Sequence, residues 1–90
     1  MLHCALRVAE KEVNGGQRDS MELQRALLKV IGAEPRAKVD YAEVVDAETF
    51  EPVVRVARRC YVVVAVFFGR TRLIDNLLIE PVGDELRAVI

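Results

Sequence analysis

Nine residues in a row, Cys60-Tyr61-Val62-Val63-Val64-Ala65-Val66-Phe67-Phe68, carry no charge and almost no polar group. β-Branched and aromatic side chains dominate the run, which suits a strand. It is far short of the roughly 20 apolar residues that a membrane-spanning helix needs. It shows no alternation of apolar and polar positions, so both of its faces are apolar. A strand of that kind belongs in the middle of a sheet and has to be covered on both sides. Gly69-Arg70 then breaks the run, and an apolar pattern resumes from Arg72 to Glu80, interrupted by the polar pair Asp75-Asn76. We read a buried strand, a short turn and a returning strand. Pro81 ends the return, because proline has no ladder donor. Asp84 to Ile90 reads as a last helical turn or a fraying end.

The rest of the chain supplies partners for that hairpin. Leu2, Ala5, Leu6, Ala9 and Val13 share one face of a helix. Asn14-Gly15-Gly16 supplies the left-handed conformation that ends it. A second helix starts at Asp19, which caps it, with Glu22 three residues on to close a capping box. Its stripe is Leu23, Leu27, Val30 and Ile31; Gly32 stops it and Pro35 keeps it stopped. Ala37 to Asp46 alternates as a strand, with Ala37, Val39, Tyr41, Glu43 and Val45 on one side and Lys38, Asp40, Ala42, Val44 and Asp46 on the other. Asp46-Ala47-Glu48-Thr49 is a turn in which Asp46 accepts from nearby backbone N–H groups.

The elements therefore run α-α-β-β-β. The fold class is α+β: a two-layer domain of two helices packed on a three-stranded antiparallel sheet, with residues 1–90 as a single domain. Two helices cover only one face of such a sheet. The other face needs part of the chain, another domain or another subunit.

Composition bounds the function. The chain is 52% hydrophobic and 30% charged, as globular domains are. A net charge of −1 offers none of the basic excess of a nucleic-acid binder. Arg55-Val56-Ala57-Arg58-Arg59 is locally basic and reads as a solvated approach to a strand. No basic segment followed by an apolar run marks a signal peptide, and no membrane partner is expected. Cys4 and Cys60 lie far apart without CxxC spacing. Two reduced, buried thiols of a cytoplasmic protein are expected, rather than a disulfide.

Chemistry-bearing patterns are sparse. Nucleophilic catalysis needs a nucleophile with a base beside it. His3, the only histidine, reads as a surface or interface residue on a helix. There is no Walker-type loop and no GxGxxG; Gly15-Gly16 is a helix stop. Asp40 and Asp46 share a predicted strand face but stand too far apart for a direct acid–base pair. With Glu43 and Glu48 they read as a solvated strand edge and turn caps. No catalytic, cofactor-binding or metal-ligating residue is assigned. Asp75-Asn76 is the best candidate for something beyond packing, since each residue interrupts an apolar face. A buried carboxylate must be paired, so Asp75 is expected beside Arg70, Arg72, Arg58 or Arg59, or bonded to backbone at a bulge. The functional alternative is a polar group facing the cleft of a neighbouring domain.

The run Gly69-Arg70-Thr71-Arg72-Leu73-Ile74-Asp75-Asn76 resembles the C-terminal signature of the pantothenate synthetase (pantoate–β-alanine ligase) family. Lys38-Val39-Asp40-Tyr41-Ala42-Glu43-Val44-Val45-Asp46 resembles the strand that precedes that signature. The matching positions are Asp40, Tyr41, Gly69, Thr71, Arg72, Asp75 and Asn76, and the residue-by-residue reading makes most of them structural. The resemblance covers nearly the whole chain. It implies a small C-terminal domain that closes as a lid over a larger nucleotide-binding domain. The family uses ATP and Mg²⁺ to form pantoyl adenylate, which β-alanine then attacks. The H-x-G-H motif and the lysine–serine loop that the family uses for ATP do not occur in these residues. No cofactor is therefore expected on this piece, and its implied partner is the N-terminal nucleotide-binding domain. Alone it is expected to be inactive and to self-associate weakly through its apolar sheet face. A reading of a different class is a free-standing α+β binding or regulatory module that dimerises through that face.

Overall fold

The apolar run becomes an inner strand, hydrogen-bonded along both edges. In a computed structural model, which describes residues 2–83 and 85–89, the elements are α1 (Leu2–Asn14), α2 (Ser20–Gly32), β1 (Ala37–Asp46), β2 (Cys60–Phe68), β3 (Thr71–Val82) and β4 (Glu85–Val89). The four described strands form one antiparallel sheet in chain order. The expected sheet had three. The fourth arises because β3 does not stop at Pro81. Cys60 pairs with Ile79, so β2 has already ended there and β3 has one neighbour only. A residue without an N–H is tolerated in such a place as on an edge strand. Gly83, at φ 61, then turns the chain back. Glu85 to Val89 is strand, neither a helical turn nor a frayed end; Asp84 and Ile90 lie outside the described residues.

The helices form largely as their sequence dictates. The Asp19 carboxylate accepts from the N–H groups of Met21 and Glu22. Glu22 does not close the capping box: it pairs with Arg25, and the Asp19 N–H donates to Gln17 Oε1 at 3.1 Å. Gly16, at φ 108, takes the conformation that ends α1. Gly32 plays no such part in α2, which closes through Ala33 in an ordinary helical conformation. Asn14 Oδ1 accepts from the Ala88 N–H at 2.9 Å and ties the end of α1 to β4.

One face of the sheet packs on the helices. Leu6, Val13, Leu23, Leu27 and Ile31 meet Val44, Val62, Val64, Val66, Leu77 and Ile79, all fully buried or nearly so. Each such aliphatic side chain contributes about 1.5–3 kcal/mol through burial. The expected alternation along β1 fails at one residue. The pairing shifts between Val39 and Tyr41, so Asp40 is an extra residue there. As a result Ala37 and Val39 share the helix-facing side with Ala42, Val44 and Asp46, while Tyr41, Glu43 and Val45 point to the other side. Cys60 is buried, but Cys4 is exposed: it stands on α1 away from the stripe of Leu2, Ala5, Leu6, Ala9 and Val13.

The second sheet face is open over much of its area. Ile74 is 58% exposed there; the loop between β1 and β2 meets the face at its other end, where Phe50 stacks its ring on Tyr61 at 6.3 Å and Pro52 pairs with the buried Val45.

Candidate functional site

The β2–β3 hairpin builds the site. Phe68 pairs with Thr71, which leaves Gly69 and Arg70 as a two-residue turn, and Gly69 sits at φ 58. Two-residue hairpin turns need that left-handed conformation, and glycine adopts it without strain. Arg72 leaves the turn on the open face. Its guanidinium reaches across β2 to Asp40 on β1, with Nε at 3.1 Å and Nη2 at 2.9 Å from the same carboxylate oxygen. The guanidinium carbon lies 5.7 Å from the centre of the Tyr41 ring. Cation–π attraction and charge-assisted hydrogen bonding thus hold one arginine from two sides. The Asp40 bulge turns that carboxylate towards β3, a job that regular alternation would not give it.

Asp40, Tyr41 and Arg72 are therefore brought together, with Gly69 and Thr71 at the adjacent tip. Asp75 and Asn76 lie further along β3 and on opposite faces, level with Val64 and Val63. Asp75 does not pair with an arginine. Its carboxylate accepts from the Asn76 N–H at 2.8 Å, and it is half-buried at the part of the helix-side face where cover thins out, near the exposed Leu73. The arginines go elsewhere: Arg72 to Asp40, Arg58 to Asp46 at 2.6 Å, and Arg59 to Glu80 at 3.5 Å.

A second polar centre was only half visible in the sequence. Asp46 caps its turn as expected, accepting from the N–H groups of Glu48 at 2.8 Å and Thr49 at 3.1 Å. It is also almost fully buried and paired with Arg58, for which no local spacing gave a signal. The backbone N–H of Glu48 first, then that of Thr49 and then Arg58, hold its carboxyl below the usual carboxylate range. The same turn places Phe50 at φ 58, with its N–H donated to the Asp46 carbonyl at 2.8 Å. A bulky residue is strained in that region.

Two shallow depressions flank the hairpin. One is lined by Arg36, Lys38, Val39, Asp40, Phe67 and Gly69, and the other by Phe50, Tyr61, Val63 and Asn76. Among the described residues no three His, Cys, Asp or Glu side chains group to hold a metal ion, and no helix is long and apolar enough to cross a membrane. His3 is exposed on α1. The arrangement fixes the shape of a hairpin and presents a surface; it does not pair a nucleophile with a base.

The family model described as pantoate-beta-alanine ligase matches residues 1–78. This chain belongs to the pantoate–β-alanine ligase family. The pantothenate synthetase of Thermotoga neapolitana is 38% identical over 78 residues, covering 87% of this chain and 28% of that relative. That of Koribacter versatilis is 40% identical over 84 residues, covering 93% and 29%. The crystal structure of pantothenate synthetase from Thermus thermophilus superposes with a TM-score of 0.77 at 32% identity, over 84% of this chain and 27% of that one. The chain thus spans under a third of the length of the ligases it matches, and the matched part is their small C-terminal portion. The family match ends at residue 78, before β4 begins. Asp40, Tyr41 and the hairpin positions Gly69, Thr71, Arg72, Asp75 and Asn76 all fall inside it.

Proposed function

We propose that this chain is the C-terminal lid domain of a pantothenate synthetase. It closes over ATP and pantoate bound to a larger nucleotide-binding domain and keeps water from the mixed anhydride before β-alanine attacks. One observation carries this reading: the ligase family match spans 78 residues and includes the whole Asp40–Tyr41–Arg72 cluster and its hairpin. The chain supplies no group for adenylate chemistry, so its contribution is conformational. ATP and Mg²⁺ belong to the nucleotide-binding domain, and the place of action is the cytoplasm. The seven signature residues act by holding the hairpin's shape, not by touching reacting atoms.

Two assays test this. The chain alone, given ATP, Mg²⁺, pantoate and β-alanine, should form no pantothenate. Grafted in place of the matching portion of the Thermotoga neapolitana enzyme, it should restore activity that the truncated enzyme lacks. Pantothenate from the chain alone, or a folded but inactive graft, would sink the proposal.

A further inference from the structure

One stretch of the sheet's edge is bare, and we propose that a segment of the polypeptide preceding residue 1 adds to it as a further strand, in line with β4. β3 runs from Thr71 to Val82, but β4 pairs with it only from Leu78 onward. Among the described residues no strand lies beside Thr71 to Leu77 on the side away from β2. The hairpin turn fixes which backbone groups face that side. The residues flanking a two-residue turn, here Phe68 and Thr71, exchange hydrogen bonds. Odd-numbered residues of β3 then bond to β2, and Arg72, Ile74 and Asn76 turn their N–H and C=O groups outward. Two observations agree with this phase. The Asn76 N–H donates to the Asp75 carboxylate at 2.8 Å instead of to β2, and Pro81, which has no N–H, falls on the side where β2 has already ended.

Elsewhere the sheet's edges are guarded. On β1 the Ala42 carbonyl accepts from Gln24 Nε2 at 2.7 Å, the Val44 carbonyl accepts from the Val53 N–H at 3.0 Å, and the Asp46 N–H donates to the Glu51 carbonyl at 2.9 Å. Nearer its start, Lys38 and the Asp40 bulge discourage pairing. On β4 the Ala88 N–H donates to Asn14. On the bare stretch only Asp75 acts in this way. Arg72 folds away across the open face to Asp40, and Leu73 and Ile74 stand 40% and 58% exposed on the two faces. Such an edge is a template for an extended segment with apolar side chains on both faces. The course of the chain selects the segment. α2 starts beside Val54 and ends where β1 begins, opposite Phe68. α1 packs on α2, β3 and β4 and runs the other way, with its last residue tied to Ala88, opposite Ile79. Its thirteen residues rise about 20 Å, which carries Leu2 back towards the level of Leu73. In the ligases it matches, this chain is the C-terminal portion, so most of their length enters at that point. Asp75 then holds the Asn76 N–H until the added strand takes it.

This inference rests on the ligase reading, and its test separates the two. Amide hydrogen exchange, read residue by residue by NMR, compares the 90-residue chain with the Thermotoga neapolitana graft. In the dilute chain alone the Leu73 and Leu77 amides should be protected, while those of Arg72 and Ile74 exchange freely. In the graft the Arg72 and Ile74 amides should slow by about 100-fold or more. Ile74→Pro removes an outward N–H that β2 does not use, so the chain alone should still fold by circular dichroism, and the graft should lose the slowing at Arg72. If that variant does not fold, the unsubstituted pair still decides. Fast exchange at Arg72 and Ile74 in a folded graft overturns the inference, whether or not the graft is active. An inactive graft with slowed amides overturns the ligase reading and keeps the added strand. Protection in the chain alone that grows with concentration gives the edge to a second copy and overturns the proposal. Protection there in dilute solution overturns it too, because the outward groups are then already bonded.

Discussion

Asp46 shows what one residue does here that its neighbours do not. Two backbone N–H groups and Arg58 stabilise its ionised form in the folded chain, and the unfolded chain offers none of them. Its folded pKa lies below its unfolded value, which is close to 4. A depressed carboxyl pKa stabilises the fold above the unfolded pKa, and that contribution fades as pH falls through the folded one. Urea midpoints should therefore hold steady from pH 7 to about 5 on this account and decline below about 4. Asp46→Asn should be less stable at pH 7 and should lose part of the acid-side decline. An unchanged acid limb in the variant would assign that decline to other carboxylates. The cysteines make a second test. Burial pushes the Cys60 thiol pKa up, and Cys4 is exposed, so a thiol reagent should titrate one group in the native chain and two in urea. The sequence marked Asp46 as a turn cap because its acceptor role is local. Its burial and its arginine, twelve residues away, depend on where β2 begins, which no local spacing encodes. The arginine pair expected for Asp75 did not form for the same reason; of the alternative, a backbone bond at a bulge, the bond to the Asn76 N–H is present and the bulge is not. Arg70 and Arg72 were near in sequence, and the bulge at Asp40 gave Arg72 a better partner.

At the level of elements, energies separate the parts that make the fold from the parts that shape the hairpin. Leu27 is fully buried between α2 and the sheet, and Leu27→Ala should cost about 3 kcal/mol. The Asp40 and Arg72 side chains are each about two-fifths exposed, so their ion pair is worth about 1 kcal/mol at most. Gly69→Ala meets no atom within 4 Å, and only the strain of a left-handed backbone opposes it, again about 1 kcal/mol. Urea melts should set Leu27→Ala well apart from Arg72→Ala and Gly69→Ala, which should lie close together. A loss near 3 kcal/mol for Arg72→Ala would mean the clamp holds up the whole sheet and not just the hairpin tip. Most of this layer was legible. Both helices came from their apolar stripes, β2 from its unbroken apolar run, and the hairpin from Gly69-Arg70. The fourth strand was missed because Pro81 was weighed as a terminator. Yet Leu86 and Ala88 already alternate with Glu85 and Arg87 in the way a half-buried strand does. Strand faces in β1 were misassigned because a one-residue bulge moves every later side chain to the opposite side, and nothing local to Val39-Asp40-Tyr41 announces it.

For the whole molecule, stability and function should separate along the same line. If the chain is a lid, its core exists to hold the hairpin and sheet face in one shape, and the hairpin exists to meet something else. Core variants should then lower the amount of folded enzyme without much changing each folded molecule. Clamp variants should do the reverse. In the Thermotoga neapolitana graft, Leu27→Ala should lower the melting temperature while leaving kcat per folded enzyme within about twofold. Arg72→Ala and Asp40→Ala should leave the melting temperature within a few degrees, because an exposed pair contributes so little. They should nonetheless lower kcat tenfold or more, since a lid that closes in the wrong pose admits water and misplaces the reacting groups. Arg72→Lys keeps the charge but loses the planar fork that bonds through two nitrogens and lies against Tyr41, so it should behave like Arg72→Ala. If Lys restores full activity, charge alone matters and the clamp geometry does not. If both clamp variants keep wild-type kcat, the cluster only steadies the strand pair, and the surface that meets the nucleotide-binding domain lies elsewhere on the chain.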